Sequence, residues 1–537
     1  MTSVWLALRP SAQQSGACDL DRGRRVGAAV AEAEVSSNKG GSKHYRQSVR
    51  ARVQEALRAF PLLPEQVPPV AERLTRMVLS RGGRLATDSG FFDFDRKVSA
   101  VVDHFRGDGL TFDSYLKAAT GHPTLFYAAP ATVIGNVERV AERLAPHGLS
   151  VASYLRAAVM RPSLFYQAPE TIVTNIESVV RHFEAHEMDP RDYVRAALRQ
   201  PQLFYQSHST VIANIESVVA HFEASGLTTS RYVAAAIRKP SLFASSPAKV
   251  ISNVVGVVEQ IGDPSLTVRH YLRAAVRQPQ LFYSSPSRIV ANVRTVLEHF
   301  CDQGLSLSDY VGGAVRQPQL FVYKPTTVIA HIEAAARRLA AYGVGSGQYL
   351  RAAVSFPPLF YLSAENILGN ITPVAKHFAR YGLTVRGYLE ATIRKPSIWA
   401  QSAATVVANI EAVVERFRPD GLTTRDYLQA ALKQPQLFYQ TPATVVGHVE
   451  LIIEMWRRGL VTFPGEEGAA AERPLAPLFA FLVERPMYFC LADDNFTLRI
   501  RYAELSGRRP AGTSLLTRPR HLVERDLACL LGRDADS

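Results

Sequence analysis

Arginine and lysine return on a fixed register in this chain. Counted back from a proline that recurs every 39 residues, the sixth position holds Lys117, Arg156, Arg195, Arg273 and Arg351, and the second holds Arg199, Arg238, Arg277, Arg316, Arg394 and Lys433. Cations held in a row are suited to neutralising the phosphates of a nucleic-acid backbone, an attraction that releases counterions and carries no sequence information. Two repeats hold both positions, Arg195 with Arg199 and Arg273 with Arg277, and like charges four residues apart slightly destabilise a helix. Something other than helix stability therefore favours them. The plainer alternative is a solvated helix face that carries arginine for solubility. Recurrence of the position, together with a net charge of +13, favours a basic ribbon.

Four further columns carry groups with chemistry. His182, His221, His299 and His377 lie 20 residues after the proline, with Arg143, Arg338 and Arg416 at the same place in other repeats. A metal site brings histidines and carboxylates together at short spacing, whereas these stand one repeat apart, so they read as a polar flank that favours the end of a helix dipole. Asn136, Asn175, Asn214, Asn253, Asn292, Asn370 and Asn409, with His331 and His448, lie 13 after it. Readers of base edges would have to differ between repeats and these hardly do, so a stacked amide ladder tying neighbours together is expected. The aromatic three after the proline (Phe126, Phe165, Phe204, Phe243, Phe282, Phe321, Phe360, Trp399, Phe438) is assigned to the core, ahead of a helix N-terminus. A tyrosine one residue later in six repeats, replaced by Ala244, Val322 and Ala400 in three, is open to a role as a stacking platform for bases.

The elements that must position these columns follow from the same register. The prolines are Pro123, Pro162, Pro201, Pro240, Pro279, Pro318, Pro357, Pro396 and Pro435, and eight residues before each stands a tyrosine, from Tyr115 to Tyr427. The stretch between, YLRAAVRQP in one copy, is made of good helix formers and stops at the proline, which disfavours helical geometry in the residue before it. This is helix A, with an apolar stripe expected at positions 8, 7, 4 and 3 before the proline. Ser-Pro or Thr-Pro pairs (Ser246-Pro247, Ser285-Pro286, Thr441-Pro442) then open helix B with an N-cap and a proline at its first position. Gly-Leu pairs such as Gly148-Leu149, Gly226-Leu227 and Gly382-Leu383 close it. Helix B also carries Glu138, Glu177, Glu216, Glu333, Glu411 and Glu450, so its exposed face should differ in sign from that of helix A. One such hairpin cannot bury its apolar face alone, so neighbours must stack. The fold class expected is all-α: a right-angled or curved superhelical solenoid of tandem two-helix repeats of 39 residues.

Around that array, 1–47 reads as a disordered leader rich in Ser, Gly, Ala and Arg but interrupted by acids, open to being a targeting or a secretion signal. Residues 48–110 read as N-terminal capping helices with a degenerate repeat that lacks its proline near Arg84, 111–456 as the tandem array, and 457–537 as a C-terminal degenerate repeat and cap. The four cysteines, Cys18, Cys301, Cys490 and Cys529, show neither a zinc spacing nor a disulfide framework. No window is apolar enough to span a membrane. No nucleophile elbow, phosphate loop or zincin motif occurs, and Arg499, Arg501 and Tyr502 form no catalytic constellation, so neither enzyme activity nor a cofactor is expected.

The proline that closes helix A, the Leu-Phe after it, the Ser-Pro start of helix B and the Gly-Leu-(Ser/Thr) link together resemble the repeat of the mitochondrial transcription termination factor (mTERF) family. ERPMYFCLADDNFTLRIRYAEL, from Glu484 to Leu505, is similar to the closing module of that family. The resemblance covers roughly residues 60–530. It implies an all-helical superhelix that binds double-stranded DNA or structured RNA along a basic groove and governs transcription or RNA metabolism. It also implies a mitochondrial or chloroplast location in a eukaryote; a bacterial chain would be cytoplasmic or a secreted effector. The protein is expected to act as a monomer without membrane contact. The competing reading is a protein-interaction scaffold, with protein partners along the same surface.

Overall fold

The computed structural model describes residues 39–62, 64–80, 93–465, 475–491, 493–507 and 512–534. Among these every regular element is helical and no strand forms. Residues 1–38 of the leader and the register position at Arg84 lie outside the described residues. The first helix, Lys39–Leu57, begins inside the segment read as leader. It buries Val49, Val53 and Leu57, one apolar stripe at a spacing of four, and packs on Val67–Ser80.

The repeat of Pro279 shows how the local structure arises. Helix A runs Val268–Arg277, and the hydroxyl of its N-cap Thr267 accepts a hydrogen bond from the His270 amide at 3.3 Å. At Gln278, held before a proline, ψ swings to 83° and the helix stops. The sequence Pro-Gln-Leu-Phe then winds as a 3-10 turn, Pro279–Phe282, instead of a loose connection. Helix B runs Pro286–Phe300 and buries Ile289, Val290, Val293, Val296 and Phe300. A second 3-10 turn, Cys301–Gln303, tightens its end and delivers the chain to Gly304 at φ +83°, a left-handed conformation that glycine adopts without strain.

Two details of the local reading change. Ser246 and Ser285 stand at the N-cap of helix B without a side-chain bond to it, the fixed φ of the next proline starting the helix, whereas Thr441 does cap, accepting from the amide of Thr444. The buried stripe of helix A also lies at positions 8, 7, 5 and 4 before the proline (Tyr271, Leu272, Ala274, Ala275), leaving Val276 half-exposed. Position 5 must be small because the next repeat's proline turn presses on it. A Cβ on Gly313 would lie 3.6 Å from Pro357 and 3.7 Å from Phe360.

By contact the chain divides into two compact bodies, the first formed by residues up to Glu216 with Ala236–Ala244, the second by Ser217–Ala235 with everything from Ser245 on. In the first, helix A Phe112–Gly121 packs on helix A Val151–Met160, and helix B Pro130–Leu144 on helix B Pro169–Phe183. In the second, Val268–Arg277 packs on Leu307–Arg316 and Pro247–Ile261 on Pro286–Phe300 in the same manner. The core is therefore completed between repeats. Each helix A tyrosine meets the aromatic ring of the following repeat, edge to face in every pair but that of Tyr349: Tyr154 on Phe204 at 5.4 Å in the first body, Tyr232 on Phe282 at 5.3 Å and Tyr310 on Phe360 at 5.4 Å in the second. Burial drives the hydroxyls of this tyrosine column far above the ordinary phenol range. Tyr154, Tyr271, Tyr310, Tyr349 and Tyr427 donate to the leucine carbonyl in the turn of their own repeat, at 2.8–3.4 Å.

One repeat departs in an instructive way. Where Trp399 replaces phenylalanine, Thr392 replaces the alanine found four residues before the proline elsewhere, and the indole N–H donates to the Thr392 hydroxyl at 2.8 Å. The Trp399 ring then stacks on Tyr349 with an interplanar angle of 14°. Both changes serve one buried polar atom.

Candidate nucleic-acid interface

All eleven basic residues singled out on helix A are exposed: Lys117, Arg156, Arg195, Arg199 and Arg238 in the first body, and Arg273, Arg277, Arg316, Arg351, Arg394 and Lys433 in the second. The reason is geometric. The sixth and second positions are four apart, on the opposite side of helix A from the buried tyrosine and alanines. Of the eleven, Arg195 pairs with Asp192 at 2.9 Å. Lys117, Arg156, Arg273, Arg351 and Arg394 stand in no ion pair among the described residues.

The two positions nevertheless do different work. At the second position Arg199 donates to the carbonyl of Ile237, Arg277 to those of Val315 and Arg316, Arg316 to that of Val354, and Lys433 to that of Val483 at 3.0 Å. Each acceptor is a carbonyl in the last turn of the next helix A, one of the groups a helix leaves without an internal partner. These cations cap their neighbour while their outer faces stay in solvent. At the sixth position no such acceptor is met, and the cations there are the freer set.

The helix B columns resolve into contacts between repeats. The asparagines do not stack on one another; they donate to the carbonyl of the aromatic in the next repeat. Asn136 reaches Phe165 at 3.4 Å in the first body, and Asn253 reaches Phe282 at 3.2 Å and Asn370 reaches Trp399 at 3.0 Å in the second. His448 makes the same bond to Phe489 at 2.8 Å, and Asn175 instead accepts from the His208 amide. The expected ladder ties repeats together, but through the backbone: an amide that already faces an under-satisfied carbonyl has no need of a second amide. The histidine column also has a partner. His182 lies 2.8 Å from Glu216 in the first body, while His299 lies 2.7 Å from Glu333 and Arg416 2.6 Å from Glu450 in the second. Every such glutamate belongs to the following repeat. A dipole flank thus becomes a row of paired charges, interrupted at His221, where Val255 stands in the glutamate's place.

The phenylalanine column is fully buried, whereas the tyrosine after it is half-buried at Tyr127, Tyr205, Tyr283, Tyr361 and Tyr439 and exposed at Tyr166. In the C-terminal module Arg499 is buried and donates to the carbonyls of Leu515 at 3.0 Å and Arg518 at 2.7 Å and to the Asn495 side chain at 2.7 Å, a strut between helices. The Cys490 thiol is pushed up to about 11 by burial, the direction opposite to that of an activated nucleophile. Among the described residues no group of His, Cys, Asp and Glu could hold a metal ion, and no helix is long and apolar enough to cross a membrane.

The sequence reading missed a third basic position. Ten residues before the proline stand Arg191, Arg269, Arg386 and Arg425, in the first turn of helix A and in line with the other two. In the second body Arg269, Arg273 and Arg277 follow one another at intervals of four on a helix without any acidic residue. With Arg231 they line a cleft of about 630 Å³ against the Gly226-Leu227 turn. A smaller cleft, about 290 Å³, recurs four repeats on against Gly382-Leu383, with Arg425 and Gln429 in the equivalent places. The last of the three repeats between shows the contrary case, since Glu390 takes the sixth position and neutralises Arg386 at 2.7 Å. A signal was available in the spacing, since position ten is position six shifted by one helical turn.

No family model and no curated protein matches this chain.

Proposed function

We propose that this chain is a helical-repeat protein of the mTERF type that binds double-stranded DNA or structured RNA through its helix A surface, and that it regulates transcription or RNA metabolism without catalysing a reaction. The superhelical winding that a constant 39-residue period implies is part of this proposal. One observation carries it. In the helix B column 20 residues after the proline, Arg143, His182, His299, Arg338, His377 and Arg416 have glutamates of the next repeat as counter-charges, with His221 the exception, whereas on helix A five of the recurring cations have none among the described residues. Unbalanced cations of one kind, repeated at constant spacing, suit a polyanion with a repeating charge.

The test is binding of a duplex DNA and a hairpin RNA to the full chain at about 50 mM salt, compared with the Arg156→Ala and Arg351→Ala variants. Each substitution should weaken binding alike for unrelated sequences and lower the slope of log K against log salt by about one. Absence of binding by the parent chain at low salt overturns the proposal. A second reading has its own support: because the cations two before the proline clamp the next helix, their recurrence needs no ligand, as a protein-interaction scaffold would have it. The chosen variants avoid that clamp, so they separate the two.

A further inference from the structure

We infer that the cleft between the Gly226-Leu227 turn and helix Val268–Arg277 is a phosphate-binding site and the strongest anion seat of the second body. Arg231 enters from the first turn of the preceding helix A, donating to the Gly226 carbonyl at 3.3 Å, and Arg269 and Arg273 enter from the helix opposite. All three are exposed at their tips, and neither Arg269 nor Arg273 has a carboxylate within ion-pair distance among the described residues. Three guanidinium groups gathered in one concavity without a counter-charge repel one another, and a bound anion relieves that repulsion. Each offers a planar fork matched to two phosphate oxygens.

The shape of the cleft adds to the charge. Leu227 and Leu272 are buried and Val276 half-buried, so an apolar wall stands behind the arginines and excludes the water that would screen them. Gly226, at φ +84°, turns the chain without placing a side chain in the opening; a Cβ there would lie 3.8 Å from the Arg269 Nε. The volume of about 630 Å³ is that of a small-molecule site, roomy for a phosphate with one sugar or base attached. The equivalent cleft at Gly382 retains one arginine and is less than half as large, so the repeat does not make such a site everywhere. That the phosphate belongs to a nucleic-acid backbone rests on the function proposed above; a free polyphosphate offers the same chemistry.

The experiment uses the full chain and two probes, inorganic pyrophosphate by calorimetry and a duplex DNA or hairpin RNA by anisotropy. The double variant R269A/R273A should bind pyrophosphate at least about tenfold more weakly than the parent, and R351A/R394A, which removes the same charge elsewhere, within about twofold of it. R269K/R273K, which keeps the charge and loses the forks, should fall between, and it serves as the test if the alanine variant does not fold. Equal losses in the R269A/R273A and R351A/R394A variants, or no pyrophosphate binding by the parent, overturn the site. Pyrophosphate binding that depends on Arg269 and Arg273, in a chain that binds neither DNA nor RNA, supports the site with a free polyphosphate as ligand and overturns the nucleic-acid reading. Nucleic-acid binding that R269A/R273A weakens no more than R351A/R394A does leaves that reading standing and removes the cleft from it.

Discussion

Helix A and helix B each repeat a charged column, and the two columns are used in opposite ways. The helix B column is balanced within the protein except at His221: His182 meets Glu216 and His299 meets Glu333, each across one junction between repeats. The helix A column is not. At the second position Arg199, Arg277 and Arg316 cap carbonyls, which leaves their charge intact, and Lys117, Arg156, Arg273 and Arg351 at the sixth position, with Arg394 at the second, meet no carboxylate among the described residues. Recurrence of a charged residue is thus no evidence of ligand binding by itself. A column that brings its own counter-charge explains itself; a column of one sign asks for a partner.

The contrast can be broken most directly by reversing charge. Arg156→Glu, Arg351→Glu and Arg394→Glu combined should cut nucleic-acid affinity by about a thousandfold or more at 0.15 M salt, while His299→Ala with His377→Ala should leave affinity unchanged. Equal losses on the two faces, read by anisotropy, would abolish the distinction. A smaller effect probes the buried links between repeats. Thr392→Ala strands the Trp399 indole N–H and should cost about 1–3 kcal/mol in urea denaturation, with Trp399→Phe restoring most of it in the double variant. If the second substitution adds to the first instead, the pairing of these two residues has been misread.

Glu187 comes next in size. It occupies the left-handed position, φ 65°, that glycine fills after most helix B segments, and Glu187→Gly should raise stability by about 1 kcal/mol, seen as a higher urea midpoint. Removing one exposed pair, as in His299→Ala alone, should change stability by less than about 0.5 kcal/mol, since both partners are roughly 40% exposed and screened. A cost well above that would promote the helix B column from surface pairing to a structural bond.

Most of the fold was legible because it is local and repeated. A proline that ends one helix, a second proline that starts the next and a left-handed glycine that ends it act within a few residues of themselves. The sequence by itself therefore determined the 39-residue period, the helical class, the burial of the tyrosine and phenylalanine columns and the exposure of the basic one. What it could not determine was the partner of each column. Asn253 and Phe282 are 29 residues apart, His299 and Glu333 are 34, Arg277 and Val315 are 38, and Gly226 and Arg269 are 43. These pairings are fixed by how one repeat seats on the next, and that seat is chosen by the packing of Tyr232 on Phe282 and its counterparts, which no single repeat contains. The same seating drew Arg231 and Arg269, which belong to different repeats, into one cleft. Spacing along the chain announced a basic face; only tertiary packing decided which of its charges are held by the protein and which stand open to a ligand.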